Sequence, residues 1–234
     1  MYIDMNYVIL VLPAIIFAMI ANGRVKSTFK EYSAINSARG ITASDACRNL
    51  LNVNGISDVS IERISGNLTD HYDPKSKTIR LSDNVYDSTS IAAIGVACHE
   101  AGHAIQYDKN YFPISIRTAI LPIASISSNL ATPLIFISIL LTSFTNNSAF
   151  FSLAYLGLFG FLMSAIFQLI TLPVEFDASK RAIIAIENGG YLTDDEIIGS
   201  KKVLNAAAMT YVAALAVSIM TFIRFALMIL GRRD

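Results

Sequence analysis

The polar and apolar positions of this chain fall into long blocks, and the blocks predict its elements. Residues 5–21 are uncharged and, Asn6 aside, apolar, with Pro13 among them. A hydrocarbon layer of roughly 30 Å needs about 20 helical residues, so this stretch reads as an N-terminal transmembrane helix over residues 1–22. From Thr118 to Val174 there are 57 consecutive residues without Asp, Glu, Lys, Arg or His. That run is long enough for two passes, and it breaks at Thr145-Asn146-Asn147-Ser148. A transmembrane hairpin over 118–172 is therefore expected, with arms near 118–144 and 150–172, the first kinked by Pro122 and Pro133. A last apolar stretch, 203–230, is long enough to span although Arg224 lies within it, so 203–234 reads as a transmembrane or re-entrant helix.

Two polar intervals remain. The first, 23–117, holds 11 of the 18 basic residues and is able to form a water-soluble subdomain. Thr42 followed three residues later by Asp45 predicts a capped helix that stops near Gly55. Val59, Ile61 and Ile64 suggest a strand. Residues 68–72, the turn Asp73-Pro74-Lys75-Ser76 and residues 78–81 read as a β-hairpin, because proline presets φ for the first corner of such a turn. Ser88 to Ser90 can cap a helix that runs to about Tyr107. Only eight uncharged residues precede His99 in it, too few to span a membrane. In the second interval, 173–202, Pro173 is expected to open a new helix closed by Gly189-Gly190, and Thr193 with Glu196 suggests another cap.

Composition strengthens this picture. Hydrophobic residues make up 53% of the 234, more than an ordinary soluble core of this size requires. Basic and acidic residues balance at 18 each, so bulk charge points to no nucleic-acid partner. The N-terminal segment carries Asp4 and no basic residue, which reads as a retained anchor rather than a cleaved signal. With four spans, Arg24, Lys26, Lys30, Lys109, Arg117, Lys180, Arg181, Lys201 and Lys202 fall on one side, expected to be cytoplasmic; Arg232 and Arg233 conflict with that orientation. Two cysteines, Cys47 and Cys98, make no disulfide framework.

The candidate chemistry lies in His99-Glu100-Ala101-Gly102-His103. On a helix, positions i and i+4 share a face, so both imidazoles can meet one ion while Glu100 handles a water molecule. A catalytic zinc takes three protein ligands and keeps a fourth position open. Glu175 and Asp177 are the acidic residues that emerge as the membrane hairpin returns to the side of His99. Glu175 is favoured as ligand, with Asp177 as the alternative or as an orienting group behind a histidine. Tyr211 is a further candidate oxyanion donor, although a tyrosine in an apolar helix serves more often in packing. Cys98 reads as packed core.

Three segments carry a family resemblance: 69–74, 97–106 and 172–179. They resemble the bacterial YugP-like neutral zinc metallopeptidases and, more distantly, the HtpX and Ste24 membrane peptidases. The resemblance implies one Zn²⁺ held by His99, His103 and Glu175, with Glu100 as general base. It also implies that Asp70, His71 and Tyr72 lie on an edge strand along which an extended peptide pairs. His71 then either donates to the oxyanion or is simply an exposed residue beside a turn. Those distant families carry an Asp four residues after the Glu ligand; here Ser179 stands there, a candidate, with Asp177, for the supporting group behind a ligand or for an alternative ligand.

The expectation is an α-helical membrane protein of about four transmembrane helices with a small α+β zincin subdomain of gluzincin type. It would lie in the bacterial cytoplasmic membrane with its site on the cytoplasmic side. Its expected function is endopeptidase hydrolysis of peptides or membrane proteins. The rival readings are an inactive zinc-binding membrane module that serves as a scaffold or partner-binding protein, and a metal-handling membrane protein, which the scarcity of ionisable residues within the spans disfavours.

Overall fold

The computed structural model describes residues 4–231. The chain is mostly helical, with one three-stranded sheet and four helices long and apolar enough to cross a membrane. A π-helical turn, Tyr7–Val11, leads into α1, Leu12–Ser33. The wide turn immediately precedes Pro13, which has no N–H to donate, so the helix passes the proline without stopping. Helix α1 runs well beyond the apolar stretch that predicts it.

Next come α2 (Ala43–Val53), β1 (Ser60–Ile64), β2 (His71–Asp73), β3 (Thr78–Ser82) and α3 (Ile91–Asp108). Thr42 caps α2 as expected: its hydroxyl accepts from the Asp45 N–H at 3.1 Å and donates to the Asp45 carboxylate at 2.6 Å. The chain leaves α2 through Gly55, whose φ of +77° suits glycine. Ser90 caps α3 by accepting from the Ala93 N–H at 3.2 Å. The sheet order is β1-β3-β2, with β1 parallel to β3 and β2 antiparallel to it, His71 standing opposite Arg80. The hairpin forms as read, but β2 begins only at His71. Ile79 and Leu81 of β3 are fully buried, while β2 is an edge.

The remaining elements are α4 (Phe112–Thr145), a 3-10 turn (Ser148–Phe151), α5 (Ser152–Gly189) and α6 (Asp194–Leu230). Pro122 and Pro133 both sit inside a continuous α4. Pro173, expected to begin a new helix, lies instead within α5. A proline removes one backbone hydrogen bond, and a long helix with good packing on either side absorbs that loss. Residues 194–230 likewise form one helix rather than a cytoplasmic piece followed by a separate span. The Glu196 carboxylate completes the predicted cap by accepting from the Thr193 N–H at 2.8 Å. Arg232 and Arg233 lie outside the described residues.

The contacts divide the chain into two compact units. One comprises Ile116–Leu172 together with 4–20 and 211–231. In it α4 and α5 approach closely: a Cβ on Gly157 would stand 2.6 Å from the Ala131 carbonyl oxygen, the small-residue contact typical of membrane helices. Phe161 and Phe225 stack with ring centroids 4.7 Å apart. Arg224, the charge within the last apolar stretch, pairs with Asp4 at 2.8 Å and lies over the Tyr7 and Phe225 rings. The other unit, Ala21–Ser115 with Pro173–Thr210, packs α2, the sheet and parts of α5 and α6 around α3. Helix α3 is buried on nearly every side, as the sequence reading of a core helix requires.

Candidate metal centre

Helix α3 sets His99 and His103 one turn apart, their rings edge-to-face with centroids 4.7 Å apart. Helix α5 brings Glu175 against them, 2% exposed. Its Oε2 stands 3.4 Å from His99 Nε2 and 3.5 Å from His103 Nε2. Two ligands on a tetrahedral zinc, each about 2.0–2.1 Å from the ion, are about 3.4 Å apart. The three donor atoms lie within 4.8 Å of one another. Their spacing and their chemistry, two imidazole nitrogens and one carboxylate oxygen, therefore fit one zinc ion.

The close approach of α3 and α5 depends on Gly102. A Cβ there would stand 2.7 Å from the Ala178 carbonyl oxygen, so only glycine lets the two backbones meet at this height. Ala101 and Ala178 are fully buried in the same contact region.

Each histidine is held from behind by its other ring nitrogen. His99 Nδ1 lies 3.1 Å from Ser179 Oγ. Ser179 thus reaches the back of the His99 ring with a hydroxyl. His103 Nδ1 lies 3.0 Å from Gln106 Oε1. The Gln106 amide donates to the Val174 carbonyl at 2.8 Å and to Asp177 Oδ2 at 2.9 Å. Asp177 also accepts from Arg181 Nε at 2.6 Å. Asp177 is consequently not among the converging donors; it meets a histidine only through Gln106. Gln106 is fully buried and was not singled out by sequence reasoning. Its signal was present all the same: an uncharged polar residue three positions after His103, on the same face of an otherwise apolar helix.

The electrostatics favour a cation. Burial opposes the charged form of His103, but the hydrogen bond and charge of Glu175, with Glu100 and Gln106 adding to them, raise the imidazole pKa above its ordinary value. A buried site that still draws a proton onto an imidazole stabilises positive charge. Glu100, one residue past His99, is 8% exposed.

The other candidates are not among the converging donors. Asp70 is turned inward, accepting from the Ser82 N–H at 2.7 Å and from the Ser82 hydroxyl at 3.1 Å. Burial pushes its carboxyl above the ordinary value against those bonds. Asp70 therefore ties the start of β2 to the end of β3. His71 is exposed, with Nδ1 2.8 Å from the Thr69 carbonyl oxygen, and does not join the three converging donors. Tyr72 packs beside α3, its ring centroid 5.6 Å from that of Tyr107. Tyr211 lies on α6 in the apolar unit. Cys98 is fully buried, and burial pushes its thiol up to about 12.

A family model described as "Putative neutral zinc metallopeptidase" matches residues 7–230. The chain is 41% identical over 230 residues to "Putative membrane protease YugP" of Bacillus subtilis (strain 168), covering 98% of this chain and 99% of the Bacillus protein. No solved structure matches it. With the match running almost end to end, the chain belongs to the neutral zinc metallopeptidase family which that description names.

Proposed function

We propose that the chain is a zinc-dependent endopeptidase of the bacterial cytoplasmic membrane, working at the cytoplasmic face on peptides or membrane proteins close to the bilayer. The observation that carries this is the convergence of His99, His103 and the buried Glu175 carboxylate at zinc-ligand spacing, one residue from Glu100. A zinc ion held by those three residues supplies Lewis acidity, lowering the pKa of a water toward neutrality and polarising the scissile carbonyl. Glu100 takes a proton from the attacking water on its carboxylate and passes it to the amide nitrogen as the C–N bond breaks. Ser179 and Gln106 hold the two imidazoles in place while this happens.

An extended substrate is read as pairing with the open edge of β2, where main-chain hydrogen bonds bind it whatever its side chains. His71, exposed on that edge, is read as the donor to the oxyanion, and Asp70 as the residue that steadies the strand by accepting from Ser82. The cytoplasmic orientation rests on the basic residues that flank the apolar helices, among them Lys109, Lys180 and Lys201.

The test uses the full chain purified in detergent, with zinc content and cleavage of an unfolded protein measured for wild type and Glu100→Gln. The variant should keep its zinc and lose about 10²–10⁴-fold in cleavage rate. Unchanged proteolysis would overturn the role of Glu100, and zinc without proteolysis in the wild type would favour the scaffold reading.

A further inference from the structure

The His103 ring is not braced by a carboxylate. It is braced by the carboxamide of Gln106, and the surroundings leave that amide one orientation. Its nitrogen faces two groups that can only accept, the Val174 carbonyl at 2.8 Å and the Asp177 carboxylate at 2.9 Å. Its oxygen must then face His103 Nδ1, 3.0 Å away. An amide oxygen only accepts, so Nδ1 carries a proton, and in the neutral ring the lone pair is left on Nε2, 3.5 Å from Glu175 Oε2.

Asp177 is in turn anchored by Arg181 Nε at 2.6 Å, and the Arg181 guanidinium lies 5.7 Å from the centre of the Tyr111 ring. Tyr111 closes the circuit, since its N–H donates to the Gln106 main-chain carbonyl at 2.9 Å. Gln106 thus holds α5 with its side chain and the segment before α4 with its backbone.

We propose that Gln106 is a positioning residue for the metal. Oriented by Asp177 and Val174, it locks His103 into the Nδ1–H tautomer, so that Nε2 is ready to bind the ion before the ion arrives. This rests on the proposed zinc site but not on peptidase activity. Asp177 acts on the site only through Gln106, and Arg181 only through Asp177. A neutral carboxamide also leaves the site's charge unaltered, whereas a carboxylate in its place would set three oxygen acceptors against one another beside His103.

The chain has three histidines, so ¹⁵N-histidine labelling of the full chain in detergent resolves each ring. Spectra of the zinc-free protein, at a pH where imidazoles are neutral, report which nitrogen holds the proton. Zinc affinity is measured separately by chelator competition. Wild type should show His103 as the Nδ1–H tautomer. Gln106→Met should show a mixture of tautomers and a zinc Kd raised about 10–100-fold. Asp177→Ala, which frees the amide to rotate, should change both readings in the same direction by less. A folded Gln106→Met with the wild-type tautomer and a Kd within about twofold of wild type overturns the proposal. If Gln106→Met does not fold, the same result for Asp177→Ala overturns it. Wild type that takes no zinc would sink the metal reading instead, while the zinc-free spectra still decide the role of Gln106.

Discussion

Gly102 and Ala178 meet backbone to backbone: a Cβ on Gly102 would lie 2.7 Å from the Ala178 carbonyl oxygen. The obstacle is main chain, which cannot rotate aside. Gly102→Ala should therefore push α5 off α3 and carry Glu175 away from the histidines. The expected cost is about 1–3 kcal/mol of stability, with zinc affinity falling in parallel. Thermal unfolding and chelator titration of the variant check both, and an unaltered zinc affinity would show that the helices can separate without moving Glu175.

Glu175 and Asp177 are two residues apart and occupy different layers. Glu175 joins the converging donors, whereas Asp177 is bonded to Gln106 and Arg181. Glu175→Ala should abolish stoichiometric zinc binding. Asp177→Ala should retain it, with affinity lowered by less than the roughly 10–100-fold expected when the group bonded directly to a ligand histidine is removed. Metal analysis after dialysis ranks them, and the reverse order would make Asp177 the ligand.

Which parts of this layering the sequence disclosed follows from spacing rules. The i, i+4 relation placed His99 and His103 on one face, and the long acid-free run left only Glu175 and Asp177 to return beside them. Caps at Thr42 and Ser90 were readable because a hydroxyl before an apolar run has a local partner. Gln106 was not readable as functional, since its partners Val174 and Asp177 are about 70 residues away and no periodicity encodes them. The continuity of α5 through Pro173 was also hidden. A proline is equally suited to starting a helix and to sitting in one whose packing tolerates the missing bond.

Asp70 gives a pH signature. Its folded pKa lies above the ordinary value of 3.8 because burial disfavours the carboxylate. A raised folded pKa means the contribution to stability is full at pH below the unfolded value and declines as pH rises through the folded one. Asn in its place can still accept from the Ser82 N–H and carries no charge. The stability of Asp70→Asn relative to wild type should thus rise with pH across the window above 3.8 and then level off. Denaturant unfolding at several pH values tests this; a difference independent of pH would show that the charge of Asp70 is not penalised.

Cys47 and Cys98 are both fully buried, with burial driving both thiols upward, Cys98 to about 12. The thiolate is the reactive species. Neither should react with a maleimide in the native protein at neutral pH, and both should label once denaturant opens the unit around α3. Rapid native labelling of either would mean that this unit opens readily.

The pair formed by Asp4 and Arg224 joins two helices separated by nearly the whole chain. During synthesis Asp4 is made first, and Arg224 emerges 220 residues later. Until then the first helix has no such counter-charge, so this tie can form only when nearly the whole chain has been made. Truncating the chain before Arg224 should leave the first helix inserted yet loosely held, open to cross-linking partners that the finished protein excludes.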